Sequence, residues 1–196
     1  MSFLYLDIET VPEEFYNKQL IEILHKKHCC DKPEHMDERR IKNGALFPET
    51  GEIKAIGLAS WDKIPTVLIG EKQSLESINS IGKVTIVWRN ILWFDIPFMI
   101  KRTLMNGWKL GENFKIWMAK PWEVNAIDLM KVRALTWTWY NTLESCCLAL
   151  KIENPKSASH GWDVRNMTDQ EVINYCSWDV NAVREIHKKF IELGLI

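Results

Sequence analysis

Five short apolar runs of strand-forming composition punctuate the chain, at 3–8, 53–61, 65–69, 84–88 and 126–130. Each is the length of a buried strand rather than of a core helix. A turn at Asp62-Lys63 joins the second to the third. Between and after the later runs the periodicity changes to that of helices. Phe15, Leu20, Ile21, Ile23 and Leu24 space a helix over 13–27, and further helices are predicted over 71–81 and 95–106, the latter stopped by Gly107. Asn141 or Thr142 can cap a helix running to about residue 150. Thr168, with Glu171 three residues on, begins a last helix over 169–193 with a capping box. The stretch 28–52 is polar and irregular, an excursion from the core. Strands early, then strands alternating with helices, predict an α/β fold with helices packed on a mixed sheet.

At 196 residues the chain is long enough for one domain with a sizeable core. No stretch reaches the roughly 18 consecutive apolar residues of a membrane helix, and the first residues lack the basic region and cleavage site of a signal peptide. Five cysteines, with Cys29-Cys30 and Cys146-Cys147 adjacent and Cys176 left over, make a poor disulfide framework. A reducing, cytoplasmic setting without a membrane partner is expected. The net charge of −1 gives no overall basic footprint for nucleic acid. Locally the balance is basic: Lys101, Arg102, Lys109, Lys115, Lys120, Lys131 and Arg133 stand against Glu112, Glu123 and Asp128. Most of the ten tryptophans should be core, leaving a subset that could stack on bases.

Three places concentrate chemistry. In the first strand Asp7 and Glu9 are two apart, so both carboxylates project from one face. Ionised side by side they repel unless a cation lies between them, and hard oxygen ligands suit Mg²⁺ or Mn²⁺. The plain alternative is a solvated strand end. In Trp88-Arg89-Asn90-Ile91-Leu92-Trp93-Phe94-Asp95-Ile96-Pro97-Phe98, a strand passes through a loop into a helix that opens at Asp95. Asp95 is there either a functional carboxylate or an ordinary N-cap, and Phe94 either core or a wedge that unstacks a terminal base. On the last helix Tyr175 and Asp179 are four apart and share a face. Alternatively, Asp179 meets solvent while Tyr175 packs.

Taken together, D-I-E-T at 7–10, N-x-x-x-F-D-x-P-F at 90–98 and Y-x-x-x-D at 175–179 resemble the three motifs of the DEDD (DnaQ-like) 3′–5′ exonuclease superfamily, whose fold is RNase H-like. The resemblance is to the tyrosine type, above all the proofreading exonuclease domain of family-B DNA polymerases and its stand-alone relatives. It runs from Phe3 to about Ile186 and is weak over 11–50, which makes 1–196 one exonuclease domain with a variable excursion there. Asn174 occupies the place a histidine-type member would fill with His, and Tyr175 the tyrosine position. What the resemblance implies is a two-metal-ion hydrolase that releases 5′-mononucleotides from the 3′ ends of single-stranded DNA. Asp7 would bridge two Mg²⁺ or Mn²⁺ ions, with Glu9 and Asp179 completing one site and Asp95 holding the second ion. Two ions roughly 3.5–4 Å apart can stabilise both the attacking and the departing oxygen. Tyr175 would orient the attacking water, since a phenol near pKa 10 is a poor base at neutral pH. Thr10, Asn90, Phe94 and His160 would contact substrate.

Two other functions remain open: RNA 3′ trimming like that of ribonuclease D, and a non-catalytic nucleic-acid-binding module. Proofreading would be done in trans, with a separate DNA polymerase or replication protein as partner. His25, His28, Cys29, Cys30 and His35 crowd one stretch but lack the paired C-x-x-C spacing of a zinc site. Trp137-Thr138-Trp139-Tyr140 reads as packing for the helix that follows, with a stacking platform as the sharper alternative. Asp128, closing the fifth strand, is a candidate for support around the site.

Overall fold

The first strand, β1 (Phe3–Pro12), is longer than its apolar run. Thr10, Val11 and Pro12 stay in register with Ile53, Glu52 and Gly51 of β2 (Gly51–Ala59). The acidic pair therefore lies within the strand and does not close it. Apolar character stops at Ile8, but ladder hydrogen bonds are made by the backbone and continue through polar residues. β3 (Thr66–Ile69), β4 (Thr85–Trp88) and β5 (Ala126–Asp128) follow. The computed structural model describes residues 2–13, 19, 22–23, 44–112, 114, 125–131, 142–153 and 161–196, with the side chains of 161–163 excepted.

The sheet has the order β3-β2-β1-β4-β5. β1 pairs antiparallel with β2 and parallel with β4; β2–β3 is antiparallel and β4–β5 parallel. Parallel neighbours need crossover connections, and helices supply them. α1 (Glu71–Asn79) leads into β4, and α2 (Asp95–Met105) leaves it. α3 (Leu143–Ala149) and α4 (Asp169–Glu192) come after β5. This is an α/β fold, a mixed sheet flanked by helices, and it is compatible with an RNase H-like fold.

Local chemistry accounts for the element ends. Thr168 and Glu171 make both bonds of the expected capping box. Thr142, not Asn141, caps α3 by accepting from the Ser145 N–H at 3.1 Å. Gly107 turns left-handed (φ 69°) just past α2. β5 stops two residues early because Asp128 Oδ1 accepts the Met130 N–H at 3.0 Å, which bends the chain into a short 3₁₀ turn at Leu129–Lys131.

The core joins Tyr5, Leu6 and Ile8 of β1 to Ile53 and Ile56 of β2, Ile86 and Val87 of β4, and Val180, Val183, Ile186 and Phe190 of α4. α4 lies close on the central strands. A Cβ added at Gly57, which pairs with Asp7, would stand 2.7 Å from both Cys176 Sγ and Val180 Cγ2. Glycine here lets the helix backbone approach the strand that carries the acidic pair. The tryptophans depart from expectation: of those whose side chains are described, Trp88 is buried, Trp108 and Trp178 are half-buried, and Trp61 and Trp93 are exposed. Cys146, Cys147 and Cys176 are free, buried thiols. Among the described residues no helix is long and apolar enough to cross a membrane.

Most of the excursion at 11–50 falls outside the described residues, as do the body of the helix expected over 13–27, His25, His28, Cys29, Cys30, His35, and the Trp137–Tyr140 cluster. Its last part, 44–50, folds back on the sheet. Thr10 Oγ1 donates to the Ala45 carbonyl at 2.7 Å, and Thr50 Oγ1 to the Gly44 carbonyl at 2.9 Å.

Candidate active site

Alternation along β1 turns Tyr5, Asp7 and Glu9 to one face, the face that α4 covers. At that point the register with β2 shifts between Glu9 and Thr10, leaving Lys54 of β2 as the extra residue. Such bulges re-aim neighbouring side chains. Here Lys54 swings to the approach to α4, its Nζ donating to the carbonyls of Val164 (3.0 Å) and Met167 (2.9 Å). The bulge thus ties the strand beside Glu9 to the turn that launches α4.

Asp7 and Glu9 are both buried, and an oxygen of each lies within 4.8 Å of the other and of Cys176 Sγ. From α4, Asp179 is buried at the same place and lines with Asp7 a cavity of about 230 Å³. From the opposite direction comes Asp95. It is the first residue of α2 and not its cap; Phe94 holds the cap position without a side-chain bond. Asp95 is 3 % exposed, and its Oδ1 accepts the Ile8 N–H of β1 at 3.4 Å. Both plain alternatives, an ordinary cap and a solvent-facing Asp179, are thereby set aside. Four carboxylates from three distant segments of the chain converge around β1.

Among the described residues no lysine or arginine pairs with Asp7 or Asp95. Burial pushes the Asp7 carboxyl well above the usual range, and the charges of Glu9, Asp179 and Asp95 and a hydrogen bond with Glu9 push it the same way. Burial likewise raises Asp95 to about 7, against the pull of the N–H groups of Asp95 and Ile8, with Asp128 adding repulsion. A cluster that binds protons this readily has the field to bind a metal cation. The donor set fits hard divalent ions, because the carboxylates outnumber the single softer atom. That softer atom is Cys176 Sγ, 3.9 Å from Asp7 Oδ2. Burial first, then Asp7, Glu9 and Asp179, raise its pKa, so the thiol stays a neutral neighbour.

Tyr175 is half-buried, packed with Val11, Ala55, Val164 and Val172. Its phenol is pushed well above 10 by burial and then by Asp179, Glu9 and Asp7, which marks it as a neutral donor facing the carboxylates. Thr10 spends its hydroxyl proton on Ala45 and is not on the cavity wall. Asn90 and Phe94 are on the wall. Asn90 takes a left-handed backbone (φ 66°), a conformation that asparagine tolerates, and its carbonyl accepts the N–H groups of Trp93 and Phe94 at 3.1 Å each. His160 lies outside the described residues.

Several participants were not singled out from sequence. Cys176 is three residues from Asp179, so helical spacing puts it near that acid but does not show its approach to Asp7. Trp88, Arg89 and Leu143 complete the cavity wall. Arg89 is adjacent to Asn90, but only the bend of the chain shows which way it faces. Asp128 does support the site: its Oδ1 accepts the Asn90 N–H at 2.8 Å. Its buried Oδ2 finds no partner among the described residues.

The site thus gathers buried carboxylates from within β1, from the head of α2 and from α4, beside a small cavity. No family model matches this chain, and no curated protein matches it either.

Proposed function

We propose that the chain is a divalent-metal-dependent 3′–5′ exonuclease acting on single-stranded DNA and releasing 5′-mononucleotides. The observation that carries this is the convergence of Asp7, Glu9, Asp95 and Asp179, all buried and gathered around Asp7. Buried carboxylates are ordinarily paired or hold metal. Three separated motifs supply them in the order of the DEDD pattern.

Asp7, Glu9 and Asp179 would hold one Mg²⁺ or Mn²⁺ ion, and Asp7 with Asp95 a second. Bound there, the ions supply charge neutralisation and Lewis acidity toward a phosphodiester. The protein's own groups do the remaining work. The Ile8 N–H fixes the orientation of Asp95. The neutral Tyr175 phenol can donate a hydrogen bond and cannot act as a base at physiological pH, so it orients water. Phe94 and Trp88 give the cavity an apolar wall against which a terminal base can rest. At about 230 Å³ the cavity is below the roughly 300–1,000 Å³ of pockets that enclose whole ligands, which suits one end of a longer strand.

The test is digestion of 5′- and 3′-labelled single- and double-stranded DNA and RNA of equal sequence, with Mg²⁺, Mn²⁺ or chelator. Metal-dependent shortening of single-stranded DNA from the 3′ end by single nucleotides is expected. Preferential loss of RNA would favour 3′ trimming, and binding without any hydrolysis would favour a non-catalytic module.

A further inference from the structure

One cationic residue lines the cavity that the carboxylates line. Arg89 follows β4 directly and lines the same cavity as Asp7, Asp95 and Asp179. It makes no ion pair or hydrogen bond among the described residues. Arg is the residue best suited to bidentate carboxylate pairing, yet this one lines a cavity with three acids and pairs with none of them among the described residues. Arg102, elsewhere in the fold, behaves in that ordinary way with Glu71 at 2.7 and 2.8 Å. Arg89 is also held in place. The next residue, Asn90, is left-handed, and its N–H is gripped by Asp128 at 2.8 Å. The backbone that carries the guanidinium is thus fixed from β5, and the side chain stands half-buried at the cavity wall. Ligands of open α/β sheets bind outside the carboxyl ends of parallel strands, which is where β4 delivers it.

We infer that Arg89 binds the phosphate of the 3′-terminal nucleotide, so that the anion is held between this guanidinium and the cation-loaded carboxylates. The inference rests on the exonuclease reading for its substrate and adds a specificity-determining residue to it. Repulsion between a nucleotide phosphate and four acids is the main obstacle to binding here, and a guanidinium with no partner among the described residues reduces it. It also accounts for an arginine that the fold does not use as a counter-ion.

The experiment compares the full chain with Arg89→Gln and Arg89→Lys. Binding of thymidine 5′-monophosphate is measured by calorimetry in Mg²⁺, alongside kcat and KM on single-stranded DNA and the melting temperature. Loss of one charge-assisted phosphate contact is expected to weaken mononucleotide binding by about tenfold or more. KM should rise by a similar factor in Arg89→Gln, with a smaller change in kcat, an unaltered melting temperature and partial recovery in Arg89→Lys. A folded Arg89→Gln protein with wild-type nucleotide affinity and wild-type KM overturns the inference while leaving the exonuclease reading intact. A wild type that binds the mononucleotide through Arg89 but hydrolyses nothing overturns the exonuclease reading and retains the anion site. A wild type that binds no mononucleotide overturns the inference.

Discussion

Two buried clusters of charge lie on this sheet and are handled in opposite ways. In one, Arg102 is 3 % exposed and fully engaged. Its Nε and one Nη donate to Glu71, its Nη atoms reach Glu13 at 3.3 and 3.4 Å, and one donates to the Pro48 carbonyl at 3.1 Å. Charge is neutralised within the fold, and the cluster staples α2 to α1 and to the ends of β1 and the 44–50 loop. In the other, Asp7, Glu9, Asp95 and Asp179 meet, and each of the other three opposes the ionisation of Asp7. A self-neutralised cluster needs nothing from outside. A cluster of mutually repelling acids gains from a bound proton or cation, which is why the second is the functional candidate and the first is scaffold.

The sharpest way to break this contrast is by substitution at the acids. Asp7→Ala or Asp179→Ala should lower the hydrolysis rate at least about a hundredfold, or about 2.7 kcal/mol in barrier. The fold should be retained, with a melting temperature in metal-free buffer equal to or above that of the wild type, because repulsion is relieved. More than about a hundredth of the wild-type rate in either variant would contradict the roles assigned here. Arg102→Met should do the reverse. It strands Glu71 and Glu13, both largely covered, and should destabilise by about 3 kcal/mol, or about 6–12 °C in melting temperature. Activity per folded molecule should be preserved at low temperature; equal stability would show that the staple is dispensable.

A third buried group sharpens the comparison by being held neutral. The Tyr5 hydroxyl and His187 Nδ1 share a hydrogen bond of 2.8 Å. Burial lowers the His187 pKa from 6.5 to about 4. Because the folded value lies below the unfolded one, this contribution to stability is complete above pH 6.5 and is lost as pH falls toward about 4. Melting temperature against pH should therefore fall across that window, and less steeply in His187→Phe. The smallest effect is expected from Tyr175→Phe, which removes one oriented hydrogen bond and should slow hydrolysis by about tenfold or less. A loss equal to that of Asp7→Ala would give the phenol a direct chemical role.

The acids were legible because each sits in a local pattern: two residues apart on a strand, at the head of a helix after a loop, and four residues from a tyrosine on a helical face. Those spacings depend only on backbone periodicity. The helix caps at Thr168 and Thr142 were legible for the same reason. What could not be read depends on how distant elements pack. Cys176 reaches Asp7 because Gly57 lets α4 come close, and no local pattern carries that. Lys101 and Arg102 looked like part of a basic tract, whereas the fold commits Arg102 to Glu71 and Glu13, and Lys101 to Glu49 at 3.1 Å. The length of β1 was misjudged because side-chain polarity was taken to end a strand that backbone pairing prolongs. Trp93, 76 % exposed, shows that an aromatic residue in the loop before α2 need not be core.

The central claim, that four acids form a cation-binding centre, is tested most directly by titrating the metal-free protein with Mn²⁺ and counting bound ions by electron paramagnetic resonance. At least one saturable site per chain is expected in the wild type, with loss of that site in a folded Asp7→Ala variant. A wild type that binds no Mn²⁺, or an Asp7→Ala protein that binds it equally well, would contradict the account.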